Sequence, residues 1–336
     1  MSQQSGIGVA FMGSGSAVPN VALDNQALSQ VVETSDEWIA SRTGIRQRYL
    51  SGADGSLRAI ATQAAQKALE MSNVAAAEID LIILATSTSD DLFGTASQIQ
   101  SDLGAVKAVA FDLTAACSGF VFGMVTAAQF IRTGTYRNVL LIGADILSRW
   151  VDWSDRRTCV LFGDGAGAVV MQACAEGEVD RLLGFEIRSD GSQNDCLTLA
   201  YQAEARELTN GVTVGQGTYQ AIAMNGQEVY RFAVKRVPEV IEKALHRASL
   251  TTDNVDWLLL HQANQRILDA VAQRLGIPHE KVISNMANYG NTSAASIPLA
   301  LDEAVRQGRV KAGDVIAASG FGAGLTWGAA IFQWGK

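Results

Sequence analysis

Cysteine is scarce: four in 336 residues, at Cys117, Cys159, Cys174 and Cys196, with no CxxC spacing. That excludes a disulfide framework and a cysteine zinc site, and it fits a reduced, cytoplasmic setting. Histidine is scarcer still, at three, and His, Cys and Asn show no metal-ligand spacing. No apolar run approaches the ~20 residues of a membrane span. Residues 1–20 lack the basic start and apolar block of a signal peptide. Positive charge is in deficit, with 26 Lys and Arg against 34 Asp and Glu, a net −8. This argues against general nucleic-acid binding, and an acidic protein partner would need a local basic patch. Nucleotide loops are missing too. GSGSAV (13–18) has Val18 where the dinucleotide fingerprint needs its third Gly, and GDGAG (163–167) and GFGAG (320–324) carry no following Lys. Those glycines suit tight turns and close backbone approach.

What is present is a large apolar fraction, 48%, and 32 glycines, enough for a sizeable core. An internal repeat organises it. EIDLIILATSTS around Asp80 resembles NVDWLLLHQANQ around Asp256, and RNVLLIGAD around Val139 resembles GDVIAASGF around Val315, both pairs 176 residues apart. Each contains a short apolar run bounded by polar or Gly residues, which suits a buried strand. Cys117 shifted by the same offset lands on Ser293, in another small-residue turn. Helical spacing occupies 57–72 and 266–276, and Thr34 to Glu37 has capping-box spacing. Alternating strands and helices predict an α/β fold with parallel sheets covered by helices. The halves are 1–175, carrying the Cys, and 176–336, carrying the His and Asn. Pro238 is expected to break or restart its helix. Residues 193–222 show no clear periodicity and are expected to form a surface excursion.

Cys117 stands out within TAACSGF. The run KAVAFDL before it reads as a buried strand and SGFVFGMVTAAQFIR after it as an apolar helix. A cysteine at that helix start has the dipole and free N–H groups that favour the thiolate. Small neighbours leave room for a substrate carbonyl. The other three cysteines read as small core hydrophobes. His261 follows an apolar strand, at the end where ligands gather in α/β proteins. Asn291 lies in the NYGNTS turn, where Asn is also a common turn residue. His246 and His279 read as helix-surface and turn residues.

Taken together, TAACSGF, HQANQRI, NYGNTSAASIP, DEWIASRTGI, FGDGAGA and GAGLTWG resemble β-ketoacyl-acyl-carrier-protein synthase III. These are the initiating condensing enzymes of type II fatty-acid synthesis, in the thiolase-like superfamily. The likeness runs from about Gly8 to the C-terminus. It implies duplicated βαβαβαββ halves in a five-layered α-β-α-β-α structure, and a homodimer. It implies that Cys117 takes the acyl group of acetyl-CoA as a thioester. His261 and Asn291 would then stabilise the enolate formed when malonyl-acyl-carrier protein loses CO2. Backbone N–H groups of Cys117 and Ala323 would hold the acyl oxyanion. In GAGLTWG, Ala323 stands where Gly is common, but a main-chain donor tolerates that change. The likeness also assigns CoA binding to Trp38, Arg42, Arg156, Met224, Gly226 and Asn264. Arg266 would meet the acidic carrier protein, and Leu92 and Phe93 would gate the acyl pocket across the dimer interface. CoA and the phosphopantetheine-bound malonyl group enter as substrates; no metal or resident cofactor is implied, and neither nucleic acid nor membrane is expected as a partner. An elongating synthase would carry a second His at the Asn291 turn, and a thiolase a second catalytic Cys near the C-terminus. A related synthase of secondary metabolism, with another primer or acceptor, is the alternative. A non-catalytic partner subunit would lack the nucleophile, and a dry tunnel suits transfer better than hydrolysis.

Overall fold

Short apolar runs become strands and three-and-four-spaced runs become helices in the computed structural model, which describes residues 6–335. The first half contributes β1 (Val9–Ala17), α1 (Leu57–Ser72), β2 (Leu81–Ala85), α2 (Ala96–Leu103) and β3 (Val109–Leu113). It continues through α3 (Gly119–Arg132), β4 (Asn138–Asp145) and β5 (Gly165–Ala173). The second half repeats this order as β6 (Leu182–Ser189), α4 (Gly226–Arg247), β7 (Trp257–Leu260), α5 (Gln265–Leu275) and β8 (Val282–Ile283). It ends with α6 (Ser296–Arg306), β9 (Val315–Gly322) and β10 (Thr326–Gln333). Both halves are therefore βαβαβαββ.

The sheets have matching strand orders, β1-β5-β4-β2-β3 and β6-β10-β9-β7-β8. In each, the last three strands named run parallel, ending at a sheet edge, and the first two join antiparallel. Helices α3 and α6 lie between the sheets, α1 and α2 cover one outer face, and α4 and α5 the other. This gives five layers. The middle layer is apolar on both sides: Phe120 and Met124 of α3 and Ile297 and Leu301 of α6 join one buried cluster with Ile83 and Ile316 from the two sheets. Full burial of each contributes about 1.5–3 kcal/mol.

The structure departs from the expectations in five places. The half-to-half spacing drifts by one residue. Leu81 faces Val139 where Trp257 faces Ile316, so the offset is 176 at the first parallel strand and 177 at the second. Val139 therefore matches Ile316 rather than Val315. Helices α3 and α6 also start 177 apart, so Cys117 matches Ala294, with Ser293 beside it. Secondly, the strand expected to be buried over 107–113 is an edge strand, and Val109 is 50% exposed. Thirdly, the helix Asp36–Thr43 is capped by Ser35, not Thr34; the Ser35 hydroxyl accepts from the Trp38 N–H at 3.1 Å.

Fourthly, α4 runs unbroken through Pro238. Proline removes the N–H that would bond the Val234 carbonyl four residues back. Arg274 of α5 replaces it, donating from Nη1 to that oxygen at 3.2 Å. Fifthly, residues 193–222 do form the expected surface excursion, but it holds an antiparallel hairpin, Tyr201–Thr209 with Val212–Tyr219, exposed along both strands. Its alternation is short, Tyr201-Ala203-Ala205 and Val212-Val214, and marks no buried face. Its Asn210-Gly211 turn, with both residues at positive φ, is the local signal for it.

Candidate active site

The chain leaves β3 and turns sharply before α3. Ala116 takes φ +45°, and Cys117 sits in the single 3-10 turn Ala116–Ser118. A non-glycine residue in that region costs about 1–3 kcal/mol, so the turn needs bracing. The Ser118 hydroxyl donates to the Ala115 carbonyl at 2.8 Å, and Thr326 of β10 donates to the same oxygen at 3.0 Å. Strand β9 presses on the turn from the other side. A Cβ on Gly322 would sit 2.8 Å from the Cys117 nitrogen, so only glycine allows this approach.

Cys117 is buried, with Sγ 3.4 Å from the Ser293 hydroxyl. Burial pushes its thiol up to about 12, the Asp145 carboxylate adds to the rise, and the Ser293 contact opposes it. The resting residue is a neutral thiol. Burial thus opposes the thiolate that the helix start is expected to favour.

His261 lies just beyond β7, where its N–H donates to the Ser319 carbonyl at 2.8 Å and continues the pairing with β9. Its Nδ1 is 2.7 Å from the Ser296 hydroxyl. That oxygen accepts from the Gln262 N–H at 3.3 Å, so its own proton is free to go to Nδ1. This assignment leaves the imidazole proton on Nε2. Burial lowers His261 to about 3, so the ring is neutral near pH 7. Phe321 meets it edge-on, with ring centroids 5.2 Å apart.

Asn291 is held by its own turn. Its Oδ1 accepts from the Ser293 N–H at 2.9 Å, which leaves the amide NH2 free as a donor. Its N–H donates to Leu161 and its carbonyl accepts from Gly163. Gly290, at φ +65°, precedes it, and a Cβ there would be 2.8 Å from the Leu161 oxygen.

These three side chains converge on one cavity of about 710 Å³. Trp38, Arg42, Arg156, Met224, Gly226, Asn264 and Arg266 line the same cavity. Trp38 is flanked by two guanidiniums, with Cζ of Arg42 4.5 Å and of Arg156 5.1 Å from its ring centroid. An adenine between Trp38 and Arg156 needs about 7 Å, two stacking distances, so Arg156 must swing aside to admit one. Asn264 also has a local job, capping α5 by accepting from the Arg266 N–H at 2.9 Å. Arg266 is exposed and reaches the Ser41 carbonyl at 3.4 Å.

A second, mostly apolar cavity of about 470 Å³ opens on the other side of Cys117, bordered by Leu92, Ala323, Leu147, Trp150 and Ile222. Leu92 thus reaches the space behind the nucleophile. Phe93 does not; it is fully exposed beside a separate cleft. Cys159 and Cys174 are buried and Cys196 half-buried. Among the described residues no group of three His, Cys, Asp or Glu side chains is placed to hold a metal. Ser293, Ser296, Asp145 and Phe321 also stand around the site, and no motif in the sequence marks them as site residues. The repeat pointed at Ser293, but as a turn position only.

Comparison with known families matches residues 111–191 to 3-oxoacyl-[acyl-carrier-protein] synthase III and residues 245–334 to the C-terminal part of the same synthase. The β-ketoacyl-[acyl-carrier-protein] synthase III of Acaryochloris marina is 70% identical over 332 residues, 99% of both chains. That of Trichodesmium erythraeum is 71% identical over 328 residues, 98% of this chain and 99% of its own. The crystal structure of the Aquifex aeolicus synthase III superposes with a TM-score of 0.89 at 42% identity, covering 97% of this chain and 100% of that one. With the duplicated fold and the Cys117 cavity in place, this likeness over nearly the whole length settles the family: the chain belongs to the 3-oxoacyl-[acyl-carrier-protein] synthase III family.

Proposed function

We propose that this chain joins acetyl-CoA to malonyl-acyl-carrier protein, giving acetoacetyl-acyl-carrier protein, CoA and CO2, and so initiates fatty-acid synthesis. It is a condensing acyltransferase. The observation that carries the reading is the meeting of a thiol, a neutral imidazole and an amide in one cavity with arginines along its wall. Cys117 takes the acetyl group. The Nε2–H of His261 and the amide of Asn291 then donate to the malonyl thioester oxygen as decarboxylation makes it an enolate. Losing one such donor typically costs about 10²–10³ in rate. A neutral His261 suits this role, because it donates a proton without giving it up. The N–H groups of Cys117 and Ala323 hold the acyl oxyanion. The acetyl group points into the Leu92 cavity.

CoA enters past Trp38, Arg42, Arg156, Met224, Gly226 and Asn264, with the guanidiniums matched to phosphates. The acidic carrier protein meets Arg266. No resident cofactor takes part in this scheme; CoA and the carrier's phosphopantetheine are substrates. We assign the chain to the cytoplasm and to a homodimer through the β3 edge and Phe93. Intact-mass analysis after incubation with acetyl-CoA alone tests the first step. An acetyl adduct on the Cys117 peptide, absent in Cys117→Ala and cleared by malonyl-acyl-carrier protein, is expected. An adduct only with longer acyl-CoAs would move the assignment to another primer, and no adduct with any would sink it.

A further inference from the structure

Arg48, on the strand Gln47–Leu50, is fully buried and has no part in the scheme above. Its Nη1 donates to the Leu23 carbonyl at 3.1 Å and to Asn25 Oδ1 at 2.9 Å, and its Nη2 donates to the Val160 carbonyl at 2.8 Å. Its Nε has no partner. All three acceptors are neutral. Among the described residues no carboxylate pairs with it directly, and Asp24 acts on it only through space. Burial pulls the guanidinium down to about 10, so it stays charged near pH 7. A buried cation without a paired anion is expensive, and an apolar side chain of similar volume is often the more stabilising choice. The guanidinium is therefore kept for what it holds.

It holds the segment that carries Asn291. The carbonyl of Leu161, next to Val160, accepts from the Asn291 N–H at 2.8 Å, and the Gly163 N–H donates to the Asn291 carbonyl at 3.0 Å. Phe162 and Asn291 thereby form a short parallel bridge outside the two main sheets. The stem of Arg48 lies against both sides of that bridge. A Cβ on Gly163 would sit 3.0 Å from the Arg48 Cβ, and one on Gly290 3.5 Å. The backbone on either side of Arg48 reaches the same two segments, the Arg46 N–H donating to the Ala287 carbonyl at 3.0 Å and the Tyr49 carbonyl accepting from the Asp164 N–H at 2.8 Å. The guanidinium adds a grip on Val160 from inside the protein. Val160, Leu161 and Phe162 line the same cavity as Asn291.

We propose that Arg48 is a positioning residue for Asn291: its guanidinium fixes the Val160 carbonyl and, through the Leu161–Gly163 segment, sets where the Asn291 amide meets the malonyl thioester oxygen. This rests on the reading of Asn291 as a donor to that oxygen. The Asn291 NH2 has no protein acceptor of its own, so its aim follows the placement of its backbone and the Oδ1 contact with the Ser293 N–H. Acetyl transfer to Cys117 does not use that amide, so the two half-reactions separate the effect.

Arg48→Met and Arg48→Lys in the full chain test this. Methionine keeps the apolar stem, and lysine keeps the charge without the planar fork that spans Val160 and Asn25. Two steps are measured: acetylation of Cys117 at saturating acetyl-CoA, and CO2 release from malonyl-acyl-carrier protein. In both variants kcat for CO2 release is expected to fall about 10²-fold, the effect of a slight misplacement at a distance, with KM and acetylation little changed. In an Asn291→Ala background Arg48→Met is expected to add almost nothing, because no amide remains to be misplaced. Equal losses in both steps, or the full loss added on top of Asn291→Ala, would overturn the proposal and leave Arg48 supporting the fold alone. Undiminished CO2 release in Arg48→Met would overturn it too, and so would full activity in Arg48→Lys, which would assign the effect to charge. If Arg48→Met does not fold, Arg48→Lys carries the same comparison, and misfolding of both would make Arg48 a residue of the fold and overturn the proposal. Undiminished CO2 release in Asn291→Ala itself would instead sink the reading of Asn291 beneath it.

Discussion

At the residue scale, the two titratable side chains at the centre of the site, Cys117 and His261, are held uncharged by burial. His261 is the clearest case. Its pKa is about 3 in the fold and about 6.5 in an unfolded chain. Between those values the unfolded chain binds more protons, so stability rises with pH across the window. The His261 contribution is fully present above pH ~6.5 and is lost as pH falls toward 3. From pH 7 to 5 it should cost the wild type about 2 kcal/mol. Denaturant melts of wild type and His261→Gln at both values check this. The wild-type loss should exceed the variant's by about that amount, and equal losses would contradict a buried neutral ring. The same burial explains what sequence could not reveal. Cys117, His261 and Asn291 were legible by type and motif, and all three line one cavity. Ser293, Ser296 and Asp145 look like ordinary turn and strand residues until the two halves bring their turns together.

At the element scale, legibility follows how local the cause is. Helix α1 ends where its spacing predicts, 57–72, because its N-cap Ser56 and left-handed C-cap Asn73 are near in sequence. Helix α4 does not break at Pro238, because the missing donor is supplied from α5. That substitution is testable by a double-mutant cycle. Arg274→Ala alone leaves the half-buried Val234 carbonyl without its donor and should cost about 1 kcal/mol in urea unfolding. In a Pro238→Ala background the restored N–H can bond that carbonyl. Arg274→Ala should then cost at least ~0.5 kcal/mol less. No coupling between the two positions would mean that Arg274 stabilises α4 only through its ion pair with Glu239.

At the scale of the whole molecule, the two halves differ in how they finish their sheets. The β3 edge is open and apolar, with Val106, Val109, Leu92 and Phe93 all exposed. A long unpaired apolar edge is a template for pairing with another chain, and Leu92 also borders the cavity behind Cys117. A homodimer closed over this edge would cover the apolar side chains and seal the acyl cavity in one step. A stable interface of this kind needs roughly 800 Å² from each partner. Phe93→Asp combined with Val109→Asp places charge along the edge without touching the Cys117 turn. Sedimentation should show the wild type as a dimer and the double variant shifted to monomer. Acetylation of Cys117 should slow in the same variant, because water then reaches the acyl cavity. A monomeric wild type would refute the dimer. A monomeric variant with undiminished acetylation would separate assembly from catalysis and place the closure of the acyl cavity within a single chain.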